Sequence, residues 1–384
     1  MKNITIIGAG LGGLTAGALL AKEGHSVTIL EQHNIVGGCA TTFERGDFTC
    51  EVGLHEMDGV YTNPLVVNIF KKLRVYESVE FVKPNEFFSV TTKNGEFTMP
   101  DGVEDAKKAL IARFPDEQKG IEKYFRTIEQ IGKSLKRLQN PSWYHFALFP
   151  FLFWDILFYK PKSVSDVLDK IINDEELKLI LNSNIQYYND TPDTLSFLLH
   201  AVAQHSYYQG GGWFIKGGSG KLSEHLARLI RDNGGEIITK ARVTACGQDG
   251  VSYMHKKESK SIESDIVISN LSAEQTYRLY DEPYYETKEM ADSLYTLYLG
   301  FSKNLKEVYG KRAYSNFIFD DIASTEEFNH MIKKDVSQRG FVFVDYSQID
   351  SKLTKSDKSF GVICSTDYID EWKSLDKQSY KLKK

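Results

Sequence analysis

The chain has 384 residues, 41% hydrophobic and 26% charged, with 29 glycines, nine prolines and a net charge of −5. That length exceeds what one hydrophobic core usually organises, so two domains, or one large domain with an insertion, are expected of a globular chain with no collagen-like or disordered bias. Both charge signs are scattered, which argues against a nucleic-acid partner, and the four cysteines (Cys39, Cys50, Cys246 and Cys364) form no Cys-x-x-Cys pair, which argues against a metal site or disulfide framework and for a reducing, cytoplasmic setting.

Lys2 followed by an apolar run imitates a secretory signal, but Gly8, Gly10, Gly12 and Gly13 interrupt the helix such a signal needs. Ile4, Thr5, Ile6 and Ile7 read instead as a short buried parallel strand. Gly8, Gly10 and Gly13 then occupy the positions of a G-x-G-x-x-G turn: the first for the tight turn, the second for close approach of a pyrophosphate, the third for close packing of the next helix on the strand. Leu14 to Glu23 is predicted as that helix, its free amides facing phosphate, with Gly24 as its stop. The segment HSVTILE then gives a second strand ending in Glu31, where an acid accepts hydrogen bonds from a ribose hydroxyl and repels a 2′-phosphate. NAD and FAD both remain open at this point.

Beyond Glu31 a dinucleotide domain for NAD would normally enter another helical crossover. Here the glycine pair Gly37-Gly38 is followed by an extended segment through Phe48 to Val52. The combination of Gly8-x-Gly10-x-x-Gly13, Glu31, Gly37-Gly38 and FTCEVGLH resembles the N-terminal signature of the FAD-dependent amine-oxidase and phytoene-desaturase superfamily. Within it, VGGCATTFERGDFTCEVGLHEMDG is most similar to the branch of carotenoid desaturases, carotenoid isomerases and retinol saturases. A second block, GGGWFIKGGSGKLSEHLARLIRDNGGEIITKARVTACGQDGV followed by IESDIVISNLS, supports the same branch. It reads as a turn at Gly217, Gly218 and Gly220, a helix from Lys221 to Asn233, and strand-like sequence at Ile237, Ile238 and Val243.

The resemblance implies an α/β fold: a Rossmann-like FAD-binding domain of the glutathione-reductase and amine-oxidase type, with a mixed α+β substrate domain. The FAD domain is expected to be discontinuous, at residues 1–75 and 205–275, with 76–204 and 276–384 building the substrate domain. The cofactor is expected to meet Gly8, Gly10, Leu11, Gly12, Gly13, Glu31, Gln32, Gly37, Gly38, Cys39, Gly53 and Leu54, the backbone at Val243, and Asn270. Cys39 stands where many relatives carry an arginine, which leaves the phosphate charge to the helix dipole. His55 and Glu56 are the candidate catalytic residues, since the matching stretch of the family runs close to the flavin ring and either could exchange a proton there. No triad, paired-carboxylate or metal-ligand pattern is present, which suits hydride chemistry on an unactivated hydrocarbon.

Asp101 to Gln139 reads as helical. The aromatic stretch Trp143 to Pro161 is too short and too interrupted, by Pro150 and Asp155, for a spanning helix. It reads either as a buried helical hairpin or as an interfacial patch flanked by Lys160 and Lys162 that dips into a membrane. His205 to Phe214 reads either as a lining of the substrate passage or as a packed glycine-rich loop. Nothing after Ser269 matches the glycine-rich closing segment of the family, which suggests a fragment of a longer protein or a reduced relative. The expected function is an FAD-dependent oxidoreductase acting on a long hydrophobic polyene or isoprenoid small molecule. The alternatives are an amine-oxidase-like flavoenzyme and a non-catalytic nucleotide-binding module.

Overall fold

The β-branched run Ile4–Ile7 forms the strand Asn3–Ile7, central to a four-stranded parallel sheet of order Ile266–Ser269, Asn3–Ile7, Ser26–Leu30, Glu236–Ile238. The structure is a computed structural model that describes the whole chain except residues 139–141, 144, 146, 147, 189, 190, 286–292, 332, 333 and 356. Both faces of this sheet are covered at its centre, so Ile4–Ile7 of the middle strand are buried without a break. Helices Leu11–Lys22 and Gly220–Asp232 cover one face, packing Leu14, Ala18, Leu226 and Ile230 on Ile4, Ile6, Val27 and Ile29. A three-stranded antiparallel meander, Ala241–Gly247, Gly250–His255 and Glu258–Glu263, covers the other, packing Val251 and Tyr253 on Ile7 and Leu30. This is a Rossmann-like nucleotide-binding layer arrangement.

Both helices begin earlier than the apolar periodicity predicts. Gly12 and Gly13 are already helical, because the first turn is held by tertiary packing rather than by propensity. Ile237–Ile238 and Val243, adjacent in sequence, belong to two different sheets: the first pair closes the parallel sheet and Val243 opens the meander.

A second sheet has six strands in the order Ser293–Phe301, Ser359–Asp367, Phe341–Asp345, Ser315–Phe319, Glu86–Thr92, Gly95–Pro100. Helices Val103–Arg113, Gln118–Leu138, Glu175–Asn182 and Phe197–Gly210 pack into one core with it, rich in buried aromatics such as Phe88, Tyr124, Phe317 and Tyr346. The predicted helical region 101–139 is therefore two helices with a single 3-10 turn, Pro115–Glu117, between them where Pro115 interrupts, and Gln139 lies outside the described residues. Residues His205–Gly210, for which a packed loop is one of the two readings, are instead the last turns of Phe197–Gly210, which ends only at Gly211 with φ +70°.

The aromatic segment 143–161 is not a buried hairpin. Tyr144, Phe146 and Ala147 lie outside the described residues. Phe149–Leu152 and Trp154–Tyr159 are short helices that insert Phe153 into the protein and leave Phe151 83% and Trp154 64% exposed, with Leu157 and Phe158 beside them. Ser134 Oγ donates to Asp155 Oδ2 at 2.6 Å, tying the segment to Gln118–Leu138. Among the described residues no helix is long and apolar enough to cross a membrane.

Candidate functional site

The chain leaves the central strand at Gly8, whose φ of +94° only glycine adopts readily and whose N–H donates to Leu30 O at 2.9 Å. The helix Leu11–Lys22 that follows has no side-chain cap and no acid in its first turn; Leu14 is the first residue to bond back, to Gly10 O at 2.9 Å. The amides of Leu11, Gly12 and Gly13 therefore have no partner within the helix, and the positive end of the dipole points out of the carboxyl edge of the sheet. Gly13 rests against Gly8 O, as close helix–strand packing requires. Gly10 and Gly12 differ from expectation, because the space left by their missing side chains holds the Asn270 amide: a Cβ on Gly10 would lie 2.9 Å from Asn270 Nδ2. Asn270 is itself exposed, so its amide stands at the turn as a further donor toward an anion.

Glu31 is nearly buried at the end of the second strand. Its Oε2 accepts from Ala9 N at 2.8 Å and its Oε1 from His33 N at 2.7 Å, so the carboxylate is fixed while each oxygen keeps acceptor capacity. Gly8, Glu31, Gln32 and Val243 line a cavity of about 500 Å³, closed on its far side by Leu271, Gln275 and Arg278. Arg278 is paired with Glu274 on the same helix, Ala273–Leu279. The glycine pair folds back onto the turn: Gly37 N donates to Ala9 O at 2.7 Å, Gly37 and Gly38 have φ of +111° and +61°, and Ser223 Oγ donates to Ala40 O at 2.7 Å. Cys39 is exposed, and a Cβ on Gly53 would lie 3.6 Å from Cys39 O, so Gly53 and Leu54 continue the same path. Gly8, Glu31, Gln32 and Val243 thus share one cavity at the carboxyl ends of the parallel strands, where open α/β sheets take their ligands, while Gly10, Gly12 and Gly13 adjoin Asn270 or Gly8, and Gly37, Gly38, Cys39 and Gly53 follow one another away from it.

His55 and Glu56 turn to different partners. The buried His55 has Nδ1 2.8 Å from Tyr346 Oη and Nε2 3.3 Å from Cys364 Sγ, and its carbonyl accepts from Tyr314 Oη at 2.8 Å. Burial pushes the imidazole down to about 4, so it is neutral near pH 7 with both ring nitrogens engaged. The carboxyl of Glu56 lies against Gly212, where any side chain would collide with it. Ser315 Oγ donates to Glu56 Oε1 at 2.9 Å, and Tyr187 Oη donates to Ser315 Oγ at 2.8 Å. Burial pushes Glu56 up to about 7; the Ser315 hydrogen bond opposes this and the charge of Asp101 adds to it. A carboxyl that titrates there can give or take a proton at neutral pH.

Sequence reasoning missed the groups that hold this region. Glu51 is fully buried and clasps Ser219, while Ser315, Tyr346 and Cys364 come from strands and turns more than 250 residues away along the chain. The one available signal was an acid closing the apolar strand segment FTCE. His205, Tyr208 and Gln209 line a cavity of about 700 Å³ with Phe125, Ile128 and Ile111, but its rim is charged, built from Glu104, Lys107, Lys108, Glu122, Arg126 and Glu129. Phe87 stacks on Tyr207 at 5.4 Å and meets Tyr208 edge-on at 5.1 Å. Burial, with a smaller contribution from the charge of Glu56, holds Tyr207 well above the ordinary phenol range.

The sequence profile of the family described as flavin containing amine oxidoreductase matches residues 11–299. The chain is 26% identical over 345 residues to all-trans-retinol 13,14-reductase of Danio rerio, covering 82% of this chain and 56% of that protein. It is 27% identical over 329 residues to phytoene desaturase (lycopene-forming) of Pantoea ananas, covering 79% and 64%. The chain thus spans little more than half the length of the curated relatives it matches. Among solved structures, an oxidoreductase from Methanosarcina mazei superposes with a TM-score of 0.65 at 17% identity, covering 98% of this chain and 82% of that one.

Proposed function

Because the chain belongs to the flavin-containing amine oxidoreductase family, with FAD as its cofactor, we propose that it exchanges hydrogen with a long apolar polyene or isoprenoid. The crevice fits that cofactor: it offers the amides of Gly12 and Gly13 in the first turn of the helix and the Asn270 amide for a diphosphate, the fixed Glu31 carboxylate for ribose, and the Val243 backbone for adenine. When bound, FAD supplies the hydride chemistry. The protein's part is to bind, to exclude water and to manage the accompanying proton.

The observation that carries the reading is Glu56. Its carboxyl, held by Ser315 Oγ at 2.9 Å and pushed up to about 7 by burial, stands near Tyr187, Tyr207 and Tyr314, and a C–H bond made or broken by hydride transfer needs one proton delivered or removed beside it. Glu56 performs that transfer at its carboxyl. His55, neutral and held at both nitrogens, keeps the segment in register with Tyr346 and Cys364. The polyene substrates named for the zebrafish and Pantoea relatives support this class over an amine. The test is anaerobic: the reduced, FAD-loaded protein is mixed with all-trans-retinol and the oxidised protein with phytoene. A change in flavin absorbance with either supports the proposal, and a change with amines alone overturns it.

The exposed face of 149–159 is the contact with a lipid surface from which such a substrate is drawn. Phe151, Trp154 and Phe158 project from it, and Lys162 Nζ stands 3.0 Å over the Phe158 ring, the arrangement of aromatic anchors and flanking cations at a headgroup boundary. Leu199 and Val202 extend the patch on Phe197–Gly210. Each large side chain withdrawn from water contributes about 1.5–3 kcal/mol. The double variant Phe151→Ser/Trp154→Ser is therefore expected to weaken sedimentation with anionic vesicles by about 100-fold, with an unchanged melting temperature. Equal sedimentation of variant and parent would refute the contact.

A further inference from the structure

We infer that Glu51 is a positioning residue for the flavin-bearing half of the cofactor, acting through the backbone of Gly53 and Leu54 and through Ser219; this rests on the cofactor reading above. Glu51 ends the strand Phe48–Glu51 and is 0% exposed. Its Oε2 accepts from Ser219 N at 2.7 Å; its Oε1 accepts from Ser219 Oγ at 2.7 Å, Leu54 N at 3.3 Å and Gly53 N at 3.4 Å. Among the described residues no cation pairs with it in a salt bridge. Burying a carboxyl with hydrogen-bond donors alone is a poor way to gain stability, and apolar residues of similar volume would serve as well or better. What the carboxylate achieves is geometric. Four donors from two separate stretches converge on one rigid group, joining the segment 53–54 and the start of the helix Gly220–Asp232 to the hairpin Thr42–Glu51 that carries it.

The position of this clasp along the crevice assigns its role. None of Glu51, Gly53, Leu54 or Ser219 lines the cavity of Glu31 and Val243, which is the adenosine end. Gly53 instead follows Cys39, beyond the glycine pair, and leads directly into His55 and Glu56. Gly218, with φ +89°, packs so tightly on the clasp that a Cβ there would lie 3.2 Å from Glu51 Oε2. Loss of the carboxylate frees the backbone on which the ring half of the cofactor must lie and leaves the adenosine end as it was.

Calorimetric titration of the apoprotein with FAD and, separately, with ADP tests this. Glu51→Ala is expected to weaken FAD by about ten-fold or more with ADP affinity unchanged. Glu51→Gln, which keeps size and one acceptor, is expected to lose less, as is Ser219→Ala, which removes one donor and leaves the carboxylate in place. If Glu51→Ala does not fold, the two milder variants carry the same comparison. Parallel loss of FAD and ADP would make Glu51 merely structural, and unaltered FAD affinity would remove its role; either result overturns the proposal. A parent protein that binds ADP but no FAD would overturn the cofactor reading itself.

Discussion

Glu56→Gln is expected to lower turnover of a polyene substrate by about 10²- to 10⁴-fold, the usual contribution of a positioned general acid or base, while FAD binds with the parent's affinity. The amide keeps the volume against Gly212 and can still accept from Ser315, but it has no proton to exchange. The pH profile carries the diagnostic. With Glu56 pushed up to about 7 and His55 pushed down to about 4, only Glu56 changes charge near neutrality within this pair. If substrate is reduced, Glu56 must be protonated and the rate falls as pH rises through about 7; if substrate is oxidised, Glu56 must be ionised and the rate rises there. The direction of that limb reports the direction of the reaction, and the Gln variant lacks the limb in either case. Full activity in Glu56→Gln would assign the proton to another group.

The same shift has a consequence for stability. The folded protein holds the Glu56 carboxyl above its ordinary value of 4.5, so it favours the protonated form more than the unfolded chain does. That contribution is fully present below the ordinary carboxylate range and is lost as pH rises through about 7. Glu56→Gln should therefore flatten the fall in melting temperature across this interval.

The nucleotide end of the molecule was legible in sequence because its chemistry is local. Strand, glycine turn, helix and terminal acid succeed one another between Asn3 and Glu31, and each step constrains backbone conformation in ways that only certain residues permit. The other end was not, because its partners are joined by topology. Ser315 reaches Glu56 across 259 residues and Cys364 reaches His55 across 309, and no periodicity encodes which strand of a six-stranded sheet will lie beside a given turn. Asn270 shows the middle case: the family resemblance implied a cofactor contact, but not that it would share the space over Gly10 and Gly12. The aromatic segment 143–161 was ambiguous for a third reason. Composition gives the same signal for a core and for an exposed apolar surface, and only the insertion of Phe153 with Phe151 and Trp154 turned outward distinguishes them.

Gly13→Ala is expected to abolish measurable FAD binding, and it tests the proposed diphosphate site more sharply than loss of any side chain. A methyl at Gly13 would be driven into the carbonyl oxygen of Gly8, far inside van der Waals distance. Gly8 cannot yield, since its N–H is bonded to Leu30 O at 2.9 Å in the middle of the parallel sheet and its φ is already +94°. The first turn of Leu11–Lys22 must therefore lift away from the strand, carrying with it the helix amides that a diphosphate would use. Overpacking of this kind destabilises by about 1–3 kcal/mol, so the melting temperature should fall as well. Two companion variants separate these effects. Gly12→Ala meets only the Asn270 side chain, which can swing aside, and should weaken FAD modestly. Gly24→Ala has no atom within 4 Å of the new methyl but sits at φ +86°, so it should lower stability and leave FAD affinity unchanged. Parent-like FAD affinity in Gly13→Ala, measured by flavin fluorescence quenching, would place the diphosphate elsewhere and remove the foundation of the cofactor assignment to this crevice.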